Sequence, residues 1–371
     1  MNTKVVKIDR EHPDPAVFEE AARILRGGGL VAFPTETVYG LGANALDEEA
    51  ARRIYAAKGR PSDNPLIAHI ADEEGLAPLT AEIPDMARRL MKAFWPGPLT
   101  MIFKKSPAVP YSTTGGLDTV AVRMPSDEAA RRLIRTAGIP IAAPSANTSG
   151  RPSPTTAEHV AQDMTGRIEM ILDGGPVGIG VESTIVDVSG PQPVLLRPGA
   201  VTMEMLEAAA GPVAVDPAIT GPMRADVKPK APGMKYRHYA PSAELILVEE
   251  AAHTESREAV SEAVIAAINR LADEQSRQGK RVGILCTDET RNQYERGDGS
   301  RMVRSLGRRS SADSIARNLF AALREFDDLG ADIIYSESFS KDHLGQAIMN
   351  RLTKAAGYHI VSPEEIGKDG Q

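Results

Sequence analysis

The chain has few of the residues that build covalent or metal-bound sites. It contains a single cysteine, Cys286, which excludes a disulfide framework and a zinc ribbon and is compatible with a reducing compartment. No two histidines stand at the spacing of a metal site, and HExxH, CxxC and EF-hand patterns are absent. The GxSxG nucleophile elbow is absent too, and Cys286 lies within a predicted strand. We therefore expect neither a metal site made of protein ligands nor covalent nucleophilic catalysis.

Other absences limit the location and the partners of the protein. No apolar run approaches the roughly 20 residues of a membrane span, and the first residues have no apolar signal core. We therefore expect a cytosolic (cytoplasmic) protein with no membrane association. Aromatic residues make up only 4% of the chain and the net charge is −7. Both values argue against an RNA-binding module, which would need stacking platforms and a positive field.

The chain has 371 residues, and predicted strands and helices alternate along it. Residues 1–212 predict an α/β domain with a twisted, partly parallel sheet. Residues 213–241 are rich in proline and glycine and predict a linker. Residues 242–371 predict a small doubly wound βαβ domain, in which 291–309 has the composition of an exposed loop.

The stretch 33–45 concentrates small polar residues and glycines directly after an apolar run, Leu30 to Phe33. Gly40 and Gly42 allow backbone to pass close to a ligand, and Thr35 is one of several polar side chains beside them. A strand that runs into such a loop is typical of binding sites in α/β folds. A tight, well-packed turn is the alternative, since neither GxxxxGK[ST] nor GxGxxG is present.

Three further clusters stand at predicted strand or helix ends. Lys58 and Arg60 flank the end of a helix, where they suit either a phosphate clamp or complementation of the helix dipole. The loop 145–147 and the stretch 182–184 carry hydroxyl and amide groups, which bind ribose or phosphate but also form ordinary turns. His69 and Arg123 lie in strands, and each taken alone would be an ordinary structural residue.

The linker is more basic than a simple tether requires. Residues 221–241 hold five lysines or arginines and one acid, Asp226. This pattern suits a strap over an anionic ligand, with a solvated tether as the alternative. Several cations together with hydroxyl and amide loops suit the positioning and electrostatic stabilisation of a phosphoryl or nucleotidyl transfer.

Taken together and in order, these stretches resemble the Sua5/YrdC family. The resemblance rests on residues 34–41, 58–61, 144–147, 182–185 and 196–199, and it extends to 231–241 and 347–352. It covers nearly the whole chain and implies the long, two-domain form: a YrdC-like catalytic domain with a twisted mixed α/β sheet, a linker that serves as a lid, and a Rossmann-like C-terminal domain. The implied reaction forms L-threonylcarbamoyl-AMP and pyrophosphate from L-threonine, bicarbonate or CO2, and ATP. The product is the donor for N6-threonylcarbamoyladenosine at position 37 of tRNA.

The resemblance also implies roles for individual residues. Lys58 and Arg60 would be catalytic, offsetting charge as pyrophosphate leaves. Threonine would be held by Thr35, His69, Arg123 and Ser183. ATP would be contacted by Arg60, Asn64, Thr119, Ala143, Ser145, Asn147, Ser153, Arg197 and Tyr236. Mg²⁺ would be held mainly through the ATP phosphates. The product would pass to the tRNA threonylcarbamoyl-transfer machinery without a need for direct nucleic-acid binding.

Two further alternatives have sequence arguments against them. A carbamoyl-transfer role in hydrogenase maturation would need zinc-binding cysteines and an acylphosphatase-like segment, and neither is present. A catalytically inactive regulator is disfavoured because Lys58 and Arg60 are intact.

Overall fold

The computed structural model describes residues 1–219, 221, 228–235, 238–250, 259–296 and 299–368. The chain divides into two compact units. The first comprises Met1–Ser149 and Ser153–Tyr236, and the second comprises Gly150–Pro152 and Arg237–Gln371. The boundary at 236 and 237 falls inside the predicted 213–241 linker, and the limits of the three predicted segments stay predictions.

The first unit is built around one mixed sheet. Its strands are β1 (Lys4–Lys7), β2 (Val31–Phe33), β3 (Gly40–Asn44), β4 (Ile67–His69), β5 (Leu99–Lys104), β6 (Thr119–Arg123), β7 (Ile141–Ala142), β8 (Met170–Asp173), β9 (Thr184–Asp187), β10 (Val194–Arg197) and β11 (Ala214–Val215). They pair in the order β1-β8-β2-β3-β7-β4-β6-β5-β9-β10-β11. Parallel and antiparallel neighbours are both present, as in β4 with β6 and in β2 with β3. The predicted mixed sheet is confirmed.

Helices cover this sheet. They are α1 (Pro15–Arg26), α2 (Glu48–Lys58), α3 (Asp85–Phe94), α4 (Tyr111–Thr114), α5 (Glu128–Ala137), α6 (Ala157–Met164) and α7 (Met203–Ala210). The starts and ends follow local chemistry. The Asp47 side chain caps the backbone N–H groups of residues 49 and 50 at the start of α2, and Gly59 ends that helix at a φ of 62°.

The two faces of the sheet are packed differently. On one face a continuous apolar core includes Ala68, Met101 and Val122 with helices α2, α3 and α6. On the other face α1 and α5 cover the half that contains Phe33 and Ile141. The rest of this second face carries a smaller cluster, in which Ala231 and Met234 are packed against Ile67, Ile102, Ala121, Ile185 and Leu196. Residues from the predicted linker thus lie on the sheet of the first unit.

Two parts of the first unit differ from the sequence expectation. The stretch 33–45 was expected to be a binding loop or a tight turn, but Gly40–Asn44 forms β3, which pairs with both β2 and β7. Glycine is needed there because a Cβ at Gly42 would lie 2.8 Å from side-chain atoms of both Ile141 and Phe33. The loop is therefore only 34–39. Helix α6 was not expected at all.

The second unit contains the strands β12 (Glu244–Val248), β13 (Val282–Cys286), β14 (Arg301–Ser305), β15 (Ile333–Glu337) and β16 (Ile360–Val361). They form a parallel five-stranded sheet with the order β14-β13-β15-β12-β16. Its helices are α8 (Glu262–Arg277), α9 (Arg291–Tyr294), α10 (Ala312–Asp328), α11 (Leu344–Ala355) and α12 (Pro363–Lys368).

Helices lie on both faces of this second sheet. One face packs against α8 and against Tyr294 of α9. On the other face Phe326 of α10 approaches Gly283 so closely that a Cβ there would lie 2.8 Å from its ring. The predicted doubly wound domain is confirmed. The expected exposed loop at 291–309 was wrong, because this stretch contains α9 and β14. Among the described residues of the chain, no helix combines the length and the apolarity needed to cross a membrane.

Candidate active site

The predicted threonine-binding residues lie on the same face of the first sheet as the smaller apolar cluster. His69 and Arg123 are register partners in the parallel pair β4 and β6. Thr100 is the partner of Arg123 on the other side, in β5. Because side chains two residues apart share a face, His69 and Arg123 project on the same side as Ile67 and Ala121. The sheet thereby places a guanidinium, an imidazole and a hydroxyl next to one another.

The loop 34–39 joins this group through Thr37. Arg123 Nη1 donates a hydrogen bond to Thr37 Oγ1 at 2.9 Å, and that hydroxyl lies 2.9 Å from Thr35 Oγ1. Thr35 Oγ1 donates in turn to the carbonyl of Val38 at 2.7 Å. Thr35 and Thr37 are both buried. The predicted residue Thr35 is thus linked to Arg123 by Thr37, a residue that the sequence analysis did not select.

Ser183 joins the group from the opposite side. Its Oγ lies 2.7 Å from Thr100 Oγ1, and it accepts a hydrogen bond from Arg197 Nη2 at 3.2 Å. Arg197 Nε also donates to the Ser183 carbonyl at 3.0 Å. The register between β9 and β10 shifts between Leu195 and Arg197, so that Arg197 stands opposite Ile185 and faces the site. Hydrogen bonds thus link Thr35 to Arg123 and Ser183 to Arg197, and strand register places His69 and Thr100 on either side of Arg123.

The centre of this set carries one buried ion pair. Oε1 of Glu36 lies 2.7 Å from Nη2 of Arg123, and both side chains are largely buried. Burial alone would raise the pKa of Glu36, but attraction to the Arg123 guanidinium outweighs it and holds that pKa below its usual range. Burial first, and the Arg123 charge second, lower the pKa of His69 to about 3. At neutral pH the site therefore contains Glu36 as an anion, Arg123 as a cation and His69 as a neutral ring.

The Nε and Nη2 edge of the Arg123 guanidinium has Glu36 beside it but lacks a hydrogen-bond acceptor among the described residues. In the part of the chain that the structure describes, neither Nε nor Nη2 has a hydrogen-bond acceptor, although both are buried. The short contact of Nη2 with Glu36 is an ion pair without hydrogen-bond angles. Nε and Nη2 are the two donors that bind a carboxylate in a bidentate way. A buried, unsatisfied bidentate edge is what recognition of an amino acid carboxylate requires.

A second group of predicted residues lies around Lys58. The Lys58 ammonium donates to the backbone oxygens of Ser145 and Asn147, both at 2.5 Å. The Ser145 hydroxyl donates to Oδ1 of Asn147, so that the loop 145–147 is fixed internally as well. This loop also pairs with the start of β3, through the backbone of Gly40 and Tyr39. Lys58 thus holds the loop that carries Ser145 and Asn147.

Arg60 and Asn64 lie together in the segment that leads into β4. Arg60 Nε donates to the carbonyl of Asn64 and Nη2 to the carbonyl of Pro65, at 3.2 and 3.0 Å. The Asn64 side chain is buried, and within the described residues neither its Nδ2 nor its Oδ1 has a hydrogen-bond partner. Unpartnered buried amides are rare in native proteins because each costs desolvation energy. Both polar atoms of the Asn64 amide are thus available for further hydrogen bonds.

The remaining predicted residues have the following positions. Thr119 begins β6, on the face of Ala121 and Arg123. The backbone N–H of Ala143 donates to Ile67 at 2.8 Å. Ser153 Oγ donates a hydrogen bond at 2.5 Å to Oε1 of Glu182, the residue that precedes Ser183. Tyr236 lies outside the described residues. In the linker, the carbonyl of Pro232 accepts from Arg197 Nη1 at 3.3 Å.

Glu36, Thr37, Thr100 and Glu182 belong to this constellation but were missed as individual site residues. Glu36 and Thr37 lie within residues 34–41 and Glu182 within residues 182–185. Their proximity in sequence to Thr35 and Ser183 could have identified them as site residues. Thr100 lies in a strand with no unusual pattern, and only its register with Arg123 identifies it.

Comparison with known proteins identifies the family of the chain. A family model described as "Telomere recombination" (Sua5, YciO and YrdC) matches residues 23–199, and a second, "Threonylcarbamoyl-AMP synthase, C-terminal domain", matches 201–357. A threonylcarbamoyl-AMP synthase of Pyrococcus abyssi is 52% identical over 95% of this chain and 97% of its own. The chain belongs to the threonylcarbamoyl-AMP synthase family.

Other members of the threonylcarbamoyl-AMP synthase family match over similar lengths. The synthase of Bacillus subtilis is 50% identical over 94% of this chain and 95% of its own. A crystal structure of Pyrococcus abyssi Sua5 complexed with L-threonine has 50% identity and a TM-score of 0.88, covering 97% of this chain and 99% of that chain. The expected resemblance, the two-domain form and the enzyme class are confirmed.

Proposed function

We propose that this site forms L-threonylcarbamoyl-AMP and pyrophosphate from L-threonine, bicarbonate or CO2, and ATP, the first step of N6-threonylcarbamoyladenosine formation on tRNA. The observation that carries the proposal is the buried edge of Arg123, whose Nε and Nη2 lack hydrogen-bond acceptors among the described residues. The solved relative complexed with L-threonine supports the amino acid as the ligand.

The threonine carboxylate pairs with the Nε and Nη2 edge of Arg123. Thr35, which is linked to Arg123 through Thr37, together with Ser183 and the neutral His69 would supply hydroxyl and imidazole groups for the remaining polar atoms of the amino acid. A neutral imidazole suits this position because a second cation beside Arg123 would be repelled. The preformed network means that little ordering is left to occur when threonine binds.

The chemistry has two steps. The amine of threonine attacks CO2 and loses a proton, which gives a carbamate. A carbamate oxygen then attacks the α-phosphorus of ATP, and the bond to the β-phosphate oxygen breaks to release pyrophosphate. Both steps bring anions together, so positioning and positive charge are the main contributions of the protein. Arg60 and Arg197 supply charge, and Lys58 adds its own while it fixes the loop 145–147.

ATP occupies the side of the site formed by the second group of residues. The Asn64 amide offers a donor and an acceptor that have no described protein partner, which suits a nucleotide. The other proposed contacts are Arg60, Thr119, the backbone at Ala143, Ser145, Asn147, Ser153, Arg197 and Tyr236. The linker residues Ala231 and Met234 lie on the sheet face that carries His69 and Arg123, which supports a lid that excludes water from a labile product.

Mg²⁺ accompanies ATP in this proposal as part of the nucleotide complex. No cluster of three or more His, Cys, Asp or Glu side chains that could hold a metal exists among the described residues. The two site carboxylates, Glu36 and Glu182, are paired with Arg123 and Ser153, and the other residues of the site offer cations, hydroxyls and amides. This set fits a metal that is held mainly by phosphate oxygens and water, as Mg²⁺ commonly is. The ion would neutralise phosphate charge as pyrophosphate leaves.

The proposal is completed by a cytoplasmic location and by transfer of the product to the tRNA threonylcarbamoyl-transfer machinery. Its test is Arg123→Lys, which keeps the charge but removes the bidentate edge. We expect the KM for threonine to rise by about 10- to 100-fold with a smaller change in the KM for ATP. Equal threonine KM values in the variant and the original protein would contradict the assignment.

A further inference from the structure

Arg123 already has a negatively charged partner in the structure, because the carboxylate of Glu36 faces its guanidinium. Oε1 of Glu36 lies 2.7 Å from Nη2, which belongs to the same edge that the proposed function gives to the substrate carboxylate. A substrate carboxylate and Glu36 cannot both occupy that edge. Glu36 must therefore yield this contact when the amino acid binds.

Glu36 is nevertheless held close to the edge by its backbone. Its carbonyl accepts a hydrogen bond from Ile179 at 2.8 Å, and the next carbonyl, of Thr37, accepts from Gly180 at 3.1 Å. These hydrogen bonds anchor the backbone of the loop, so a change of the side-chain rotamer is the smallest movement that breaks the contact with Arg123. A buried carboxylate that loses its cation is costly unless another cation replaces it.

The substrate itself brings such a cation. An α-amino acid carries its ammonium on the carbon next to its carboxylate, within roughly 3 Å of the carboxylate oxygens. Both carboxylate oxygens of Glu36 are buried, and among the described residues neither accepts a hydrogen bond of good geometry, although the backbone N–H groups of Glu36 and Ser126 help to lower its pKa. We propose that Glu36 occupies the carboxylate-binding edge of Arg123 in the absence of substrate and then receives the α-ammonium of the incoming amino acid. This inference rests on the proposed function, since it takes Arg123 as the carboxylate site.

In this proposal Glu36 exchanges the Arg123 guanidinium for the α-ammonium of the substrate. It therefore favours amino acids that carry both an ammonium and a carboxylate. A ligand with both groups replaces the ion pair by two new pairs. A ligand with only the carboxylate displaces Glu36 and leaves it without a cation. A ligand with only the ammonium must compete with Arg123 for Glu36. Discrimination between these three ligands measures the proposal directly.

The experiment uses isothermal titration calorimetry on the full chain at pH 7 with L-threonine, (R)-3-hydroxybutyrate, which lacks the amino group, and L-threoninol, which lacks the carboxylate. For the original protein we expect threonine to bind about 10- to 100-fold more tightly than hydroxybutyrate. In Glu36→Gln, which removes the charge at nearly constant shape, threonine should bind about 10-fold more weakly and hydroxybutyrate more tightly than in the original protein.

These opposite changes, weaker binding of threonine and tighter binding of hydroxybutyrate, distinguish the proposal from a purely structural role of Glu36. If Glu36 only kept Arg123 in place, Glu36→Gln would weaken both ligands, and that result would overturn the proposal. The exposed Glu82, paired with Lys104 at 2.7 Å, provides the matched control Glu82→Gln, which should change none of the affinities.

Two binding comparisons with the original protein test the proposal even if Glu36→Gln does not fold. Equal affinities for threonine and hydroxybutyrate would overturn the role of Glu36 without any variant. Equal affinities for threonine and threoninol would instead contradict the carboxylate site at Arg123, and thus the proposed function. Glu36→Asp keeps the charge on a shorter side chain, and it should preserve the preference for threonine over hydroxybutyrate.

Discussion

Lys58→Met is predicted to lower both the stability and the activity of the protein. Methionine keeps most of the apolar stem of the side chain but removes the ammonium, which donates to the backbone oxygens of Ser145 and Asn147. Lys58 is only 1% exposed, so water cannot replace these hydrogen bonds. Hydrogen bonds that involve a charged group contribute about 1.5–3 kcal/mol each. We therefore expect the free energy of unfolding to fall by about 3–5 kcal/mol.

The effect can be measured on the first unit specifically. Trp95 is the single tryptophan of the chain and lies in that unit, at the end of α3. Urea unfolding followed by its fluorescence reports the transition, and pyrophosphate release measured below the transition reports activity. Activity should be lost while the unit is still folded, because the loop 145–147 loses its support.

Lys104→Met is the matched control for this experiment. Lys104 pairs with Glu82 at 2.7 Å, but both side chains are more than half exposed. Exposed pairs of this kind contribute about 0–1 kcal/mol. If Lys58→Met and Lys104→Met unfold at the same urea concentration, the reasoning about the loop 145–147 is refuted.

Three further predictions follow from burial. Asn64→Leu should weaken ATP binding at least about 10-fold while leaving the apo protein as stable or more stable, since it removes a buried amide without described partners. His69, with its pKa lowered to about 3, binds a proton more weakly in the folded chain than in the unfolded chain, so its contribution to stability is complete above about pH 6.5 and is lost towards pH 3. Residues 1–212 alone should show impaired turnover, because Ala231 and Met234 no longer cover the site face.

Each of these predictions has its own measurement and control. For Asn64→Leu, ATP titration and urea unfolding are compared with Asn44→Leu, which loses a hydrogen bond to Leu46 and should be less stable. For His69, the free energy of unfolding is measured between pH 6.5 and pH 3. Its decrease towards low pH should be smaller in His69→Asn than in the original protein, and a variant of the exposed His12 should match the original protein. For the truncation, steady-state turnover equal to that of the full chain would show that the linker is dispensable.

Much of the fold could be predicted because its elements have strong local signals. Helix α2 is bounded by Asp47 and Gly59, which provide an N-cap side chain and a left-handed C-cap. Strand β3 could not be predicted in this way. Its sequence, Gly40–Asn44, contains two glycines, which disfavour strands, and it forms because tertiary pairing with β2 and β7 overrides that preference.

The stretch 291–309 shows the same limit in a polar context. Its arginines suggested an exposed loop, yet the side chain of Arg301 in β14 is only 1% exposed. It pairs with Asp273 and donates to the side chain and backbone of Asn269, both on α8. A buried arginine with distant partners has no local signature. Partners separated by many residues become visible only in three dimensions.

The site was predicted in part for a related reason. Clusters such as 58–61 and 182–185 stand out by composition, and in the structure Lys58 contacts the loop 145–147 while Ser183 contacts Thr100 and Arg197. Thr100 was not predictable, because a threonine in a strand is ordinary until its register places it between Arg123 and Ser183. The pairing of Glu36 with Arg123 likewise depends on strand order, which the composition of the chain does not specify.

The central claim is that the first unit activates threonine as a carbamoyl-adenylate. The most direct measurement is pyrophosphate release from ATP by the full chain, with threonine and bicarbonate each omitted in turn from CO2-depleted buffer. The account predicts release only when both are present, together with formation of threonylcarbamoyl-AMP. Release that continues at the same rate without threonine or without bicarbonate would contradict it.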